Sequence, residues 1–291
     1  MKVLVLGAGG MIGNAMFRVL SANSALQVVG TLRSATDAAY FSPELRPHLF
    51  VGIDVTAPDA VAQSMAAVRP DVVINCIGVT KHVAAGNVPY SAIAINALLP
   101  HQIAMLCMLS GARLIHISTD CVFSGVKGMY RESDVPDAAD VYGRSKQLGE
   151  VLDEGAVTLR TSTIGHELRT RYGLLEWFLS QSTCKGYTQA IFSGVPSVVF
   201  AEIVRDIVIP NRALSGLYHV AGASIAKADL LRLVANTYEK DIGISLDDSL
   251  MIDRSLDSSK FTAATGYHSP PWPAMVQTMR DDFMKGYHHN V

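Results

Sequence analysis

The stretch Lys2-Val3-Leu4-Val5-Leu6-Gly7-Ala8-Gly9-Gly10-Met11-Ile12-Gly13 decides how the rest of the chain reads. Four apolar residues without polar alternation describe a strand covered on both faces. Gly7, Gly10 and Gly13 follow in phase, with an extra glycine at position 9. The first permits a tight turn out of the strand, the second lets the backbone approach a bound group, and the third allows close helix–strand packing. Met11 and Ile12 then stand in the first turn of a helix whose N–H groups form an anion site. A glycine pattern alone is weak evidence; strand before and helix after supply the context it requires.

The same rhythm extends outward. Residues 3–6, 27–32, 49–53, 72–75, 113–117 and 157–159 read as buried strands. Residues 11–21, 57–68, 90–109 and 145–154 carry apolar side chains at helical spacing. Strand then helix, repeated, predicts a doubly wound parallel sheet of the Rossmann α/β type. The rhythm changes after Arg160, with helices expected at 174–181, 227–238 and 274–284 and a strand at 216–220. The expected division is a sheet domain over 1–163, to which segments near 190–222 return, and a smaller C-terminal α/β substrate lobe over 164–291. Trp272, set between prolines, reads as a packed anchor.

Composition excludes several classes. The 291 residues are 49% hydrophobic and 17% charged, with a formal charge of −2. A disordered chain would be highly charged and poor in aliphatics. A binder of nucleic-acid polymers would show a basic excess or run. No uncharged apolar run is expected to reach membrane-spanning length, and the N-terminal apolar run is too short for a signal core. Cys76, Cys107, Cys121 and Cys184 show no metal spacing. They read as reduced thiols of a cytoplasmic protein, with no metal site and no membrane or nucleic-acid partner.

The second strand ends at Arg33-Ser34, and the nearest acid, Asp37, lies further on. A guanidinium suits a ribose 2′-phosphate, whereas an acid there suits a free 2′-hydroxyl. NADP(H) is therefore the expected cofactor, contacted by Arg33 and Ser34. Asp54, followed by Val55, could reach the adenine or cap the helix expected from residue 57. Cys76 and Gly78 end the fourth strand at the edge where such folds bind ligands.

The second chemical signal is Ser118-Thr119-Asp120-Cys121-Val122-Phe123, followed by Tyr142-Gly143-Arg144-Ser145-Lys146. Tyr142 is the only one of the ten tyrosines with lysine four residues later, so the pair shares one helix face. A free phenol has a pKa of about 10. Lys146, one turn away, is expected to lower it and to hold nicotinamide ribose hydroxyls, while Thr119 aligns a carbonyl oxygen.

With these motifs in this order the chain resembles the extended short-chain dehydrogenases/reductases, in particular the dTDP-4-dehydrorhamnose reductase family. Weaker similarity continues through Leu159-Arg160-Thr161-Ser162, Gly216-Leu217-Tyr218-His219-Val220 and Arg254-Ser255-Leu256-Asp257-Ser258. The resemblance implies a catalytic set of Thr119, Tyr142 and Lys146. It also implies NADPH-dependent reduction of the 4-keto group of a nucleotide-linked deoxysugar, for surface polysaccharide. Asp120, Cys121, Ser193, Val195 and Arg254 are the expected substrate contacts. Lys260, His166, Lys81 and His82 are weaker candidates. Related dehydratases carry Asp-Glu after the threonine; here Cys121 follows Asp120, which disfavours dehydration. Cys121 also replaces the family's more usual tyrosine. An epimerase, and a non-catalytic NADP-binding subunit resembling that of methionine adenosyltransferase, stay open as alternatives. A homodimer is likewise left open.

Overall fold

A computed structural model describes residues 1–57, 59–80 and 88–286. Seven strands build the central sheet: β1 (Lys2–Leu6), β2 (Gln27–Leu32), β3 (Leu49–Val51), β4 (Val72–Asn75), β5 (Arg113–Thr119), β6 (Ala156–Thr161) and β7 (Gly216–His219). They lie in the order β7-β6-β5-β4-β1-β2-β3, every pair parallel. The expected doubly wound sheet is borne out, and β7 extends it beyond β6. Chain order reverses at β1, which pairs with both β2 and β4, so the ligand crevice of such a sheet opens beyond Leu6 and Asn75.

The apolar excess has a simple origin. Successive side chains of β1 point to opposite faces. Val3 and Val5 join the larger core with Met16, Phe17 and Leu20 of helix α1 (Met11–Ser21). Leu4 and Leu6 join the second core under helix α2 (Ala60–Val68) and helix α3 (Pro89–Ser110). Phe17 meets Phe41 edge-on at 5.5 Å, closing the first core below β2.

Several boundaries differ from expectation. Helix α2 starts at Ala60, because Thr56 donates both its N–H and its hydroxyl to Asp54 Oδ1 in a tight turn. Asp54 therefore caps its own turn and does not cap α2. Helix α4 runs over Val141–Leu148 and not 145–154, since Asp140 Oδ1 accepts from Gly143 N–H at its start. It ends where Gly149 crosses α3: a Cβ there would stand 1.9 Å from the Asn96 carbonyl oxygen. Trp272 opens the closing helix Trp272–Gly286, where it is buried and donates Nε1–H to the Ala223 carbonyl at 2.7 Å. The short pairing of Thr183–Tyr187 with Gly243–Asp247 was not expected, because strands as polar as Thr-Cys-Lys-Gly-Tyr lack an apolar signal.

The expectation about membrane-spanning length is also corrected. Helix α3 has 22 residues, and an 18-residue window within it has a mean hydropathy of 1.7. It packs on the sheet through Leu99, Ile103 and Cys107, which are buried in the second core.

A charged network lies under the sheet edge. Arg160 on β6 donates from Nε and Nη2 to the two carboxylate oxygens of Glu150, both at 2.7 Å, and Ser118 donates to the same carboxylate. His219 on β7 is fully buried; its Nδ1 bonds the Tyr130 carbonyl and its Nε2 faces Arg160 Nη1 at 3.3 Å. With a guanidinium against Nε2, the proton belongs on Nδ1. Burial, then the Arg160 charge, pulls the imidazole down to about 4. An unfolded chain protonates this histidine near 6.5 while the native one resists until about 4, so stability is present above pH 6.5 and lost as pH falls through that interval. We expect denaturant titrations to show a loss of about 1.4 kcal/mol per pH unit from this group. His219→Gln should flatten that slope between pH 6.5 and 4.5; an unchanged slope would rule the origin out.

Candidate active site

The cleft begins at the glycine loop. Gly7 has φ +85°, a left-handed conformation that favours glycine, and a Cβ there would meet Ile77 at 2.9 Å. A Cβ on Gly13 would stand 2.0 Å from the Gly7 carbonyl oxygen, so the third glycine serves packing of α1 on the turn. Gly10 offers α1 no side-chain cap, which leaves first-turn amides for a ligand anion. These features fit a bound pyrophosphate.

Two cavities run from this loop. The larger, of about 430 Å³, is lined by Gly7, Gly9, Gly10, Met11, Arg33, Asp54, Val55, Cys76 and Gly78. The smaller, of about 250 Å³, is lined by Met11, Ile12, Cys76, Gly78, Thr119, Asp120, Cys121, Tyr142 and Lys146. Met11, Cys76, Ile77, Gly78 and Thr80 belong to both, so the two form one cleft with Arg33 at one end and Tyr142 at the other. Together they offer room for an extended dinucleotide. Asn96, in a π-helical turn of α3, holds the wall between them. It accepts from Val79 N–H and donates to the Val79 carbonyl and to Ser145 Oγ.

At the inner end, Tyr142, Thr119 and Lys146 line one cavity. Thr119 Oγ1 donates to Asp120 Oδ1 at 3.0 Å and accepts from Cys121 N–H at 3.1 Å. Lys146 is buried and donates to the Ile117 carbonyl at 2.8 Å. Here the sequence expectation fails in one respect. Burial raises the Tyr142 phenol, with Cys121, Asp120 and Asp140 adding to it. Lys146 instead exerts its charge on Cys76 and His116. Burial lowers Lys146 to about 8, against the opposing pull of Glu150. Burial likewise raises Asp120. The cleft therefore brings a phenol, a hydroxyl and an ammonium group to one corner.

The other expected contacts divide. Arg254 reaches the same corner, donating from Nε to the Phe123 carbonyl at 2.8 Å with Nη1 3.9 Å from Cys121 Sγ. Ser193 and Val195 do not line the cleft: they are 3% and 0% exposed, and Ser193 Oγ accepts from Leu256 N–H. They support the cleft floor, because Val195 pairs with Thr163 in a short parallel bridge. Ser34 turns its hydroxyl to Thr36 and caps the following turn. Lys260 donates to the Leu217 carbonyl, and His166 is held between Glu176 and Tyr238 and stacked on Phe283, so neither faces the cleft. Lys81 and His82 lie outside the described residues. Among the described residues no His, Cys, Asp and Glu cluster could hold a metal.

Glu167, Leu168, Arg169 and Thr170 close the outer cavity and escaped sequence reasoning. They are more than 130 residues from the glycine loop, and no motif marks them. A phosphate-binding loop at the sheet's switch point, joined by one cleft to a tyrosine–threonine–lysine group, defines the class of extended short-chain dehydrogenases/reductases. Residues 1–284 match the family model of the RmlD substrate binding domain, and the chain belongs to that family.

Among the relatives, the dTDP-4-dehydrorhamnose reductase of Aggregatibacter actinomycetemcomitans is 27% identical over 232 residues, 76% of this chain and 73% of the relative. Methionine adenosyltransferase 2 subunit beta of Bos taurus is 30% identical over 171 residues, 57% of this chain and 48% of the relative. The solved dTDP-4-dehydrorhamnose reductase of Bacillus anthracis, in complex with NADP, has a TM-score of 0.78 at 20% identity and covers 97% of this chain and 99% of its own. At that identity the likeness is one of fold.

Proposed function

We propose that the chain reduces the 4-keto group of a nucleotide-linked deoxysugar at the expense of NADPH. The observation that carries the reading is the convergence of Thr119, Tyr142 and Lys146 on the inner end of the cleft that begins at the glycine loop. NADPH, when bound, supplies the hydride. Tyr142 holds the proton that the carbonyl oxygen takes as its carbon receives that hydride. Thr119 orients the same oxygen, and Asp120 and the Cys121 amide hold Thr119 in place. Lys146 would hold ribose hydroxyls beside Tyr142. Gly7, Gly10 and the first turn of α1 would hold the pyrophosphate, and Arg33, Asp54 and Val55 the adenosine end. Cys121 and Arg254 shape the substrate end, where the small thiol leaves room.

The test is NADPH oxidation by the full chain against a panel of 4-keto nucleotide sugars, with the product's stereochemistry determined. We expect stoichiometric consumption of NADPH and a new sugar hydroxyl. Substrate conversion without net NADPH loss would indicate epimerisation instead. The similarity to a methionine adenosyltransferase subunit supports a second reading, a nucleotide-binding subunit. Silence across the panel, together with stoichiometric capture of an enzyme partner, would favour it.

A further inference from the structure

Arg33 suits a 2′-phosphate, but an acid lines the same cavity. Arg33 follows the end of β2, and Asp37 sits in the turn Ala35–Tyr40 just beyond it. Asp37 is 5% exposed, and its Oδ2 lies 3.5 Å from where a Cβ on Gly9 would be. Its carboxylate thus abuts the phosphate loop. An acid in that place accepts bonds from a ribose 2′-hydroxyl and repels a 2′-phosphate. Left alone, Asp37 would cancel the charge of Arg33.

It is not left alone. The segment 165–173 leaves β6 and crosses the outer end of the cleft. From it, Arg169 Nη1 donates to Asp37 Oδ1 at 2.9 Å. Arg169 is 44% exposed and lines the same cavity as Arg33 and Gly9. A guanidinium carries five N–H donors, so this one can hold the carboxylate and still offer donors to an anion.

The geometry points to Arg169, from the C-terminal half, as the residue that decides for NADPH over NADH. By pairing with Asp37 it removes the acid's repulsion and leaves the site with a net positive charge between two guanidinium groups. The 2′-phosphate is then met by Arg33 and Arg169, which line one cavity. This inference rests on the NADPH reading given above.

The test uses nucleotide binding alone, with no turnover. The full chain is titrated calorimetrically with 2′,5′-ADP and with 5′-AMP. The wild type should prefer 2′,5′-ADP. Arg169→Ala should weaken 2′,5′-ADP by about tenfold or more while 5′-AMP stays within about threefold. Adding Asp37→Asn to Arg169→Ala should recover much of the loss, because the bare carboxylate is gone. An Arg169→Ala variant with undiminished preference overturns the proposal. So does an equal loss for both nucleotides that Asp37→Asn does not relieve, which would mark a merely structural residue. A wild type without preference would overturn the NADPH reading itself, so the two failures are told apart.

Discussion

Tyr142→Phe is expected to lower the rate of keto reduction by about 10²- to 10⁴-fold, the contribution of a positioned proton donor. The substitution keeps the ring and deletes one hydroxyl. Thr119 keeps its bonds to Asp120 and to the Cys121 amide, so no buried polar group is stranded and the fold should hold. NADPH affinity should change little, because the phosphate loop and the adenosine end lie elsewhere in the cleft. The check is single-turnover NADPH oxidation beside a fluorescence titration of NADPH. A variant turning over at the wild-type rate would remove Tyr142 from the chemistry.

Glu150→Gln has the largest expected effect on stability. The carboxylate receives two bonds from Arg160 and one from Ser118, and the Arg160 and Glu150 side chains are only 3% and 7% exposed. The guanidinium also lies 5.0 Å over the Phe123 ring. A neutral amide leaves that buried cation without its counter-charge. Breaking such a pair from one side costs about 3–5 kcal/mol, even where the pair itself contributes little. Urea unfolding should register a loss of this order. The change reaches the cleft as well, because Glu150 supports the charged form of Lys146, whose pKa should fall below its present value of about 8. A denaturation midpoint equal to wild type would show that the pair is dispensable.

Much of this architecture was legible in the chain. Val3 to Leu6 lack alternation because both faces of β1 are covered, and that forces a parallel sheet with helices on each side. The glycines at 7 and 13 are required by local geometry, so their spacing is a local signal. Tyr142 and Lys146 share a helix face whatever surrounds them. The bounds of α4 differ from expectation at both ends: the cap at Asp140 is local, reaching only to Gly143, whereas the crossing at Gly149 depends on Asn96 of α3.

What the sequence determined by itself was therefore whatever is carried by neighbours within a few turns: the sheet, the phosphate loop and the tyrosine–lysine pair. Tertiary structure alone decided that the Tyr142 phenol is raised, since burial is a property of the assembled cleft. It alone buried Ser193 and Val195, and it alone joined Arg169 to Asp37 across 132 residues. Burial and long-range charge pairing depend on which distant segments meet, and no local pattern encodes that.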